Sequence, residues 1–108
     1  MTEEFIEIHW TSGSLEEAQE VARKLVKSRD VACAQITPAI ESVYIWEDHL
    51  ETAHESKVVF KTHESKFDAV KEVIQKECSY DVPEITKVAI SGGNKEYLDW
   101  IRKTITKS

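Results

Sequence analysis

Val43-Tyr44-Ile45-Trp46-Glu47-Asp48-His49 is the stretch that decides the fold. Four β-branched or aromatic residues run into three polar ones, the pattern of a strand that ends in a hairpin tip. Upstream, residues 31–46 read as one strand interrupted at Pro38. The proline ring removes a ladder donor, so the strand must bend, bulge or lie at an edge there. Downstream, residues 50–61 return and end in Val58-Val59-Phe60-Lys61. Counted from Ala32 to Trp46, the outgoing strand would be about 50 Å long at roughly 3.3 Å per residue.

The flanking segments supply what the hairpin packs against. Residues 5–11 alternate, with Ile6, Ile8 and Trp10 on one face and Phe5, Glu7, His9 and Thr11 on the other, which is a strand. Ser12-Gly13 turns the chain. Ser14 and Glu17 have capping-box spacing, and Leu15, Ala18, Val21, Ala22, Leu25 and Val26 follow at helical intervals, so helix one should run to about Arg29. A second helix is expected from about Thr62-His63, with Phe67, Val70, Val73 and Ile74 on one stripe. Ser79 to Pro83 reads as a loop and Glu84–Ile90 as a fourth strand. Gly92-Gly93-Asn94 then leads to a last helix carrying Tyr97, Leu98, Trp100, Ile101 and Ile105, with Asn94 as its N-cap.

The order β-α-β-β-α-β plus a terminal helix is the ferredoxin-like arrangement, an α+β fold in one domain over residues 1–108. Right-handed crossovers put both main helices on one face of an antiparallel sheet, with strands two and four at its edges. Helix one reaches only about 22 Å at ~1.5 Å per residue. It cannot cover a hairpin twice that length. An apolar ribbon left bare is an aggregation hazard, and assembly with further copies of the chain is the simplest remedy.

A formal net charge of −6 disfavours nucleic acid or an anionic membrane as the main partner. The acidic start, Met1-Thr2-Glu3-Glu4, is followed by only a short apolar run, so neither a signal peptide nor a membrane segment is expected. Cys33 and Cys78 make no disulfide framework, and a reducing, cytoplasmic setting follows.

Other ferredoxin-like proteins fit poorly. Strand three, Ser56-Lys57-Val58-Val59-Phe60-Lys61, lacks the aromatic Gly-containing motif of an RNA-recognition domain. Trp10-Thr11-Ser12-Gly13 holds neither a heavy-metal Cys-x-x-Cys loop nor the Gly-rich, Arg-bearing phosphate loop of an acylphosphatase. Five pieces in register instead resemble the CutA family. Ala32-Cys33 is similar to its Ala-Cys-Val-Asn stretch, and Ser42-Val43-Tyr44-x-Trp46-Glu47 to its Ser-x-Tyr-x-Trp-Glu hairpin. Lys61-Thr62 ends strand three as in the family. Tyr80-Asp81-Val82-Pro83-Glu84-Ile85 and Tyr97-Leu98-Asp99-Trp100 complete the match, which spans nearly the whole chain.

The resemblance implies a homotrimer whose hairpins pair across subunits, a link to tolerance of divalent cations, copper above all, and an architecture shared with PII-type signalling proteins. This chain departs from the family pattern at four places. Asp48 replaces the hairpin glycine, and Gln35 replaces an asparagine. Cys78-Ser79-Tyr80 replaces His-Pro-Tyr, removing a histidine proposed as a metal ligand. Trp10 stands where some members have a cysteine, also a proposed ligand.

Cysteine binds soft ions, so Cys78 is the candidate metal residue, for weakly held Cu or Zn, with no cofactor required. Cys33, mid-strand beside alanines, reads as a small buried hydrophobe. His9, His49, His54 and His63 have no clustered spacing, and Glu47, Asp48 and Glu51 read as a solvated tip. Tyr44, Trp46, Lys61, Tyr80 and Glu84 are the polar and aromatic members of the matched motifs and the candidates for an intersubunit cleft. No catalytic triad, Cys–His pair or carboxylate pair stands out, so an enzyme is not expected. Two readings result: a metal-homeostasis trimer, or a trimeric signalling or scaffold module that binds a small ligand or partner protein.

Overall fold

The computed structural model describes residues 4–106. Strand β1 (Phe5–Ser12) is followed by α1 (Leu15–Lys27), β2 (Cys33–Trp46), β3 (His49–His63), α2 (Phe67–Glu77), β4 (Ile85–Ile90) and α3 (Lys95–Thr106). The sheet is antiparallel with order β2-β3-β1-β4, so β2 and β4 form its edges, as the ferredoxin-like reading requires.

Alternation in β1 decides the core. Ile6, Ile8 and Trp10 are buried beneath α1, which contributes Ala18, Val21, Ala22 and Leu25, and α2, which contributes Val70 and Ile74. Val58 and Phe60 of β3 complete the layer, and Trp10 stacks on Phe60 with ring centroids 6.4 Å apart. Each such apolar side chain stabilises the fold by about 1.5–3 kcal/mol relative to exposure. On the opposite face of β1, Phe5 joins Ala32 and the α3 residues Ile101 and Ile105 in a second cluster. Helix α3 therefore closes one end of the face that α1 and α2 leave open.

The capping box forms by half. Ser14 Oγ accepts from the Glu17 backbone N–H at 3.0 Å. The Glu17 carboxylate does not return to Ser14; it accepts from Ser12 Oγ at 2.7 Å and from the Ser79 N–H at 3.0 Å. A cap expected to act locally instead ties the end of β1 to the chain after α2.

The expected start of the second helix near Thr62-His63 is corrected. Both residues belong to β3, and a 3₁₀ turn, Glu64–Lys66, precedes α2. Thr62 is wholly buried and donates its hydroxyl to the Asp30 carbonyl at 2.7 Å, which holds it in the sheet. His63 Nδ1 accepts from the Ser65 N–H and caps the turn. Helix α1 ends at Lys27, because Arg29 takes a left-handed conformation, φ 66°, that no helix can continue.

Candidate functional site

The proline in β2 acts as a phase shifter. Cys33 to Thr37 pair with Lys61 to Lys57, but Ile40 pairs with Glu55, so Pro38 and Ala39 together oppose Ser56. This is a β-bulge, with Ala39 left-handed at φ 60°. Beyond it Ser42, Tyr44 and Trp46 stand opposite Ala53, Glu51 and His49. They therefore share the face of Lys57 and Lys61, turned away from α1 and α2. Had the same residues continued in the first register with no bulge, alternation would put Tyr44 and Trp46 on the face of Val58 and Phe60. The hairpin closes with the two-residue turn Glu47-Asp48, both at positive φ (50° and 65°). That geometry matches the twist of paired strands, and Asp48 tolerates it better than most residues.

The segment after α2 comes up to this face. Glu17 holds Ser79, and the next residue, Tyr80, donates its hydroxyl to Glu55 Oε2 at 2.8 Å. Burial, and then the hydrogen bond to Glu55, push the Tyr80 pKa up from 10.0 to about 12, so the phenol stays protonated as a donor. Gly13 makes room for the ring: a Cβ there would lie 3.0 Å from Tyr80 Oη.

Between the hairpin base and this segment lies a cleft of about 500 Å³. Tyr44, Trp46 and Tyr80 supply its aromatic wall, and Glu55, Asp81 and Glu84 its carboxylates. Four of the five expected cleft residues are thus brought together within one chain. Lys61 is not among them; it lies toward the other end of β3, donating to Gln35 Oε1 at 2.9 Å near the Tyr97 ring. Thr11, Ser42, Glu55, Asp81 and Val82 also line the cleft; Ser42, Asp81 and Val82 fall within the matched motifs without being site candidates there, and Thr11 and Glu55 lie outside every motif. Glu55 follows the plain alternation of β3, whereas Ser42 joins it on that face only through the bulge, whose phase change a proline hints at without specifying.

The metal candidates stand apart. Cys78, half-buried at the end of α2, packs against the main core. Cys33 faces α3, its Sγ 3.6 Å from Tyr97 Oη. Trp10, at the position where some CutA members carry a cysteine, is a fully buried core residue. His9 is paired with Glu7 at 2.8 Å and His54 lies 4.0 Å from Glu41. Among the described residues no three His, Cys, Asp or Glu side chains are grouped to hold one ion.

Fold and site together define an α+β ferredoxin-like protein with an overlong β2–β3 hairpin and an aromatic, acidic cleft at its base. Residues 6–104 match the family model of the CutA1 divalent ion tolerance protein, and the chain belongs to that family. It is 36% identical over 103 residues to the chloroplastic Protein CutA 1 of Oryza sativa subsp. japonica, covering 95% of this chain and 58% of the rice protein. It is 39% identical over 98 residues to the divalent-cation tolerance protein CutA of Archaeoglobus fulgidus, covering 91% and 95% of the two chains. The crystal structure of CutA1 from Oryza sativa superposes with a TM-score of 0.92 at 35% identity, over 97% of this chain and 96% of that one.

Proposed function

We propose that the protein is a non-enzymatic, homotrimeric participant in divalent-cation homeostasis, copper in particular, that binds metal weakly. The observation that carries self-association is the bare hairpin. Val43, Ile45 and Leu50 project from one of its faces at 61%, 64% and 72% exposure, with Trp46 on the other at 52%. Single exposed apolar residues are ordinary, but a contiguous ribbon of them marks an interface. The tolerance role is supported by family membership. Cys78 is the soft donor available to Cu(I), and one thiolate makes a weak site rather than a closed one. The two free cysteines favour a reducing, cytoplasmic setting.

Light scattering tests the assembly and should give about three times the 12.4 kDa chain mass; a clean monomer at micromolar concentration refutes it. Titration with Cu(I) tests the metal role. Cys78→Ser should lose the binding while keeping the oligomer, and unchanged affinity would remove Cys78 as a ligand.

The cleft favours a second reading, a PII-like signalling or scaffold module. Three aromatic rings around about 500 Å³ form a concave, partly apolar site of the size that small organic ligands occupy.

A further inference from the structure

We propose that the cleft at the hairpin base binds a small organic cation of the alkylammonium or guanidinium class. This rests on the second reading above, that the cleft is a ligand site, and names the chemistry it selects. The lining holds Tyr44, Trp46 and Tyr80 together with Glu55, Asp81 and Glu84, and includes no lysine, arginine or histidine. Outside the cleft, Glu64, Glu77 and Asp99 each have a lysine partner. Inside it, none of the three carboxylates has a cationic partner among the described residues; Glu55 accepts from Tyr80 and Glu84 from Thr86. An anionic ligand would meet uncompensated repulsion there.

The same carboxylates are poorly arranged for a bare metal ion, since among the described residues no three acidic or other ligating side chains are grouped around one point. Chelation needs donors converging at a short fixed distance. An organic cation has no such requirement. Its charge is spread over several atoms, its apolar body can lie against aromatic faces, and cation–π attraction to Trp and Tyr adds to the acidic field. Separate carboxylates along an aromatic wall suit that ligand.

The test is calorimetric titration of the full chain with spermidine, with succinate as the anionic control. Spermidine should bind saturably, more weakly as salt rises, and succinate should not bind. Glu55→Gln, Asp81→Asn and Glu84→Gln combined should weaken spermidine at least tenfold. Glu16→Gln, Glu20→Gln and Glu72→Gln, which remove the same charge from exposed helix positions, should leave its affinity unchanged. Equal losses in both triple variants would mean diffuse attraction to an acidic protein and would overturn the proposal. So would full affinity in the cleft variant, or equal binding of succinate. Tyr44→Leu changes no charge and removes one ring; it should weaken binding about threefold or more, and an unchanged affinity counts against the site even if the triple variant misfolds. Light scattering on every sample separates the two readings. A trimer that ignores spermidine defeats the cleft proposal alone, whereas a monomer that binds it defeats the trimer alone.

Discussion

The two halves of the β2–β3 ribbon are built from the same kinds of residue and meet opposite fates. In the near half Val58 and Phe60 are wholly buried under α1 and α2. In the far half Val43, Ile45 and Leu50 face open space. Strand propensity is equally high in both, so propensity alone does not predict burial. The difference is reach, because the helices end before the strands do. The bulge at Pro38-Ala39 sits between the halves and changes which side chains share a face. One ribbon thus serves first as the floor of a core and then as an arm with two separate surfaces.

The sharpest way to break the comparison is to truncate one large residue in each half. Phe60→Ala should destabilise the chain by about 3–5 kcal/mol in urea unfolding, since it leaves a cavity against Trp10. Leu50→Ala should leave the unfolding of the separated monomer within about 0.5 kcal/mol of wild type. If the two variants unfold alike, the far half is buried in a way the single chain does not reveal. Trp46→Ala comes next. It should weaken association by ~2 kcal/mol, read as a shift in the concentration dependence of light scattering, because a large aromatic at an interface often carries that much.

Tyr80→Phe probes the seam between the halves. Loss of its hydrogen bond to Glu55 should cost about 1 kcal/mol. The Tyr80 pKa is raised in the folded state from 10.0 to about 12. Stability from the protonated phenol is therefore fully present below pH 10 and lost as pH climbs through about 12. In ultraviolet titration the wild type should show a late phenolate step that the variant has lost. Tyr97, also raised to about 12 by burial, should remain in both. The smallest effect is a gain. Ala39→Gly relieves a left-handed residue and should stabilise by about 0.5 kcal/mol, the strain removed being partly offset by glycine's greater freedom when unfolded.

The near half of the molecule was legible in the sequence because local rules govern it. Alternation in Phe5–Ser12 and the 3.6-residue stripe of α1 each point to the face that is buried. The boundary at Thr62-His63 was misread because a buried hydroxyl bond to Asp30, 32 residues away in sequence, extends β3 past its apolar run. The cleft was half legible. Tyr44, Trp46, Tyr80, Asp81 and Glu84 belong to motifs that carry the family resemblance, though the motif does not say that Asp81 lines the cleft, and Glu55 belongs to no pattern a spacing argument can detect. Lys61 shares the motifs yet lies at the far end of its strand, since motif membership says nothing about which end of a sheet a side chain occupies. Glu17 shows the same limit: its spacing predicts a cap, and its second partner, Ser79, lies 62 residues on.

The bulge works as a length buffer in the arm. Ala39 is the extra residue on β2, set aside from the ladder while pairing resumes between Ile40 and Glu55. Removing it would close the bulge and leave Ser42, Tyr44 and Trp46 opposite Ala53, Glu51 and His49, so both surfaces of the arm would keep their side chains. What would go is the bend and the added twist that a bulge puts into a strand. A change of one residue at this place is therefore felt in the direction the arm points, and with it the mouth of the cleft, rather than in which side chains the arm displays.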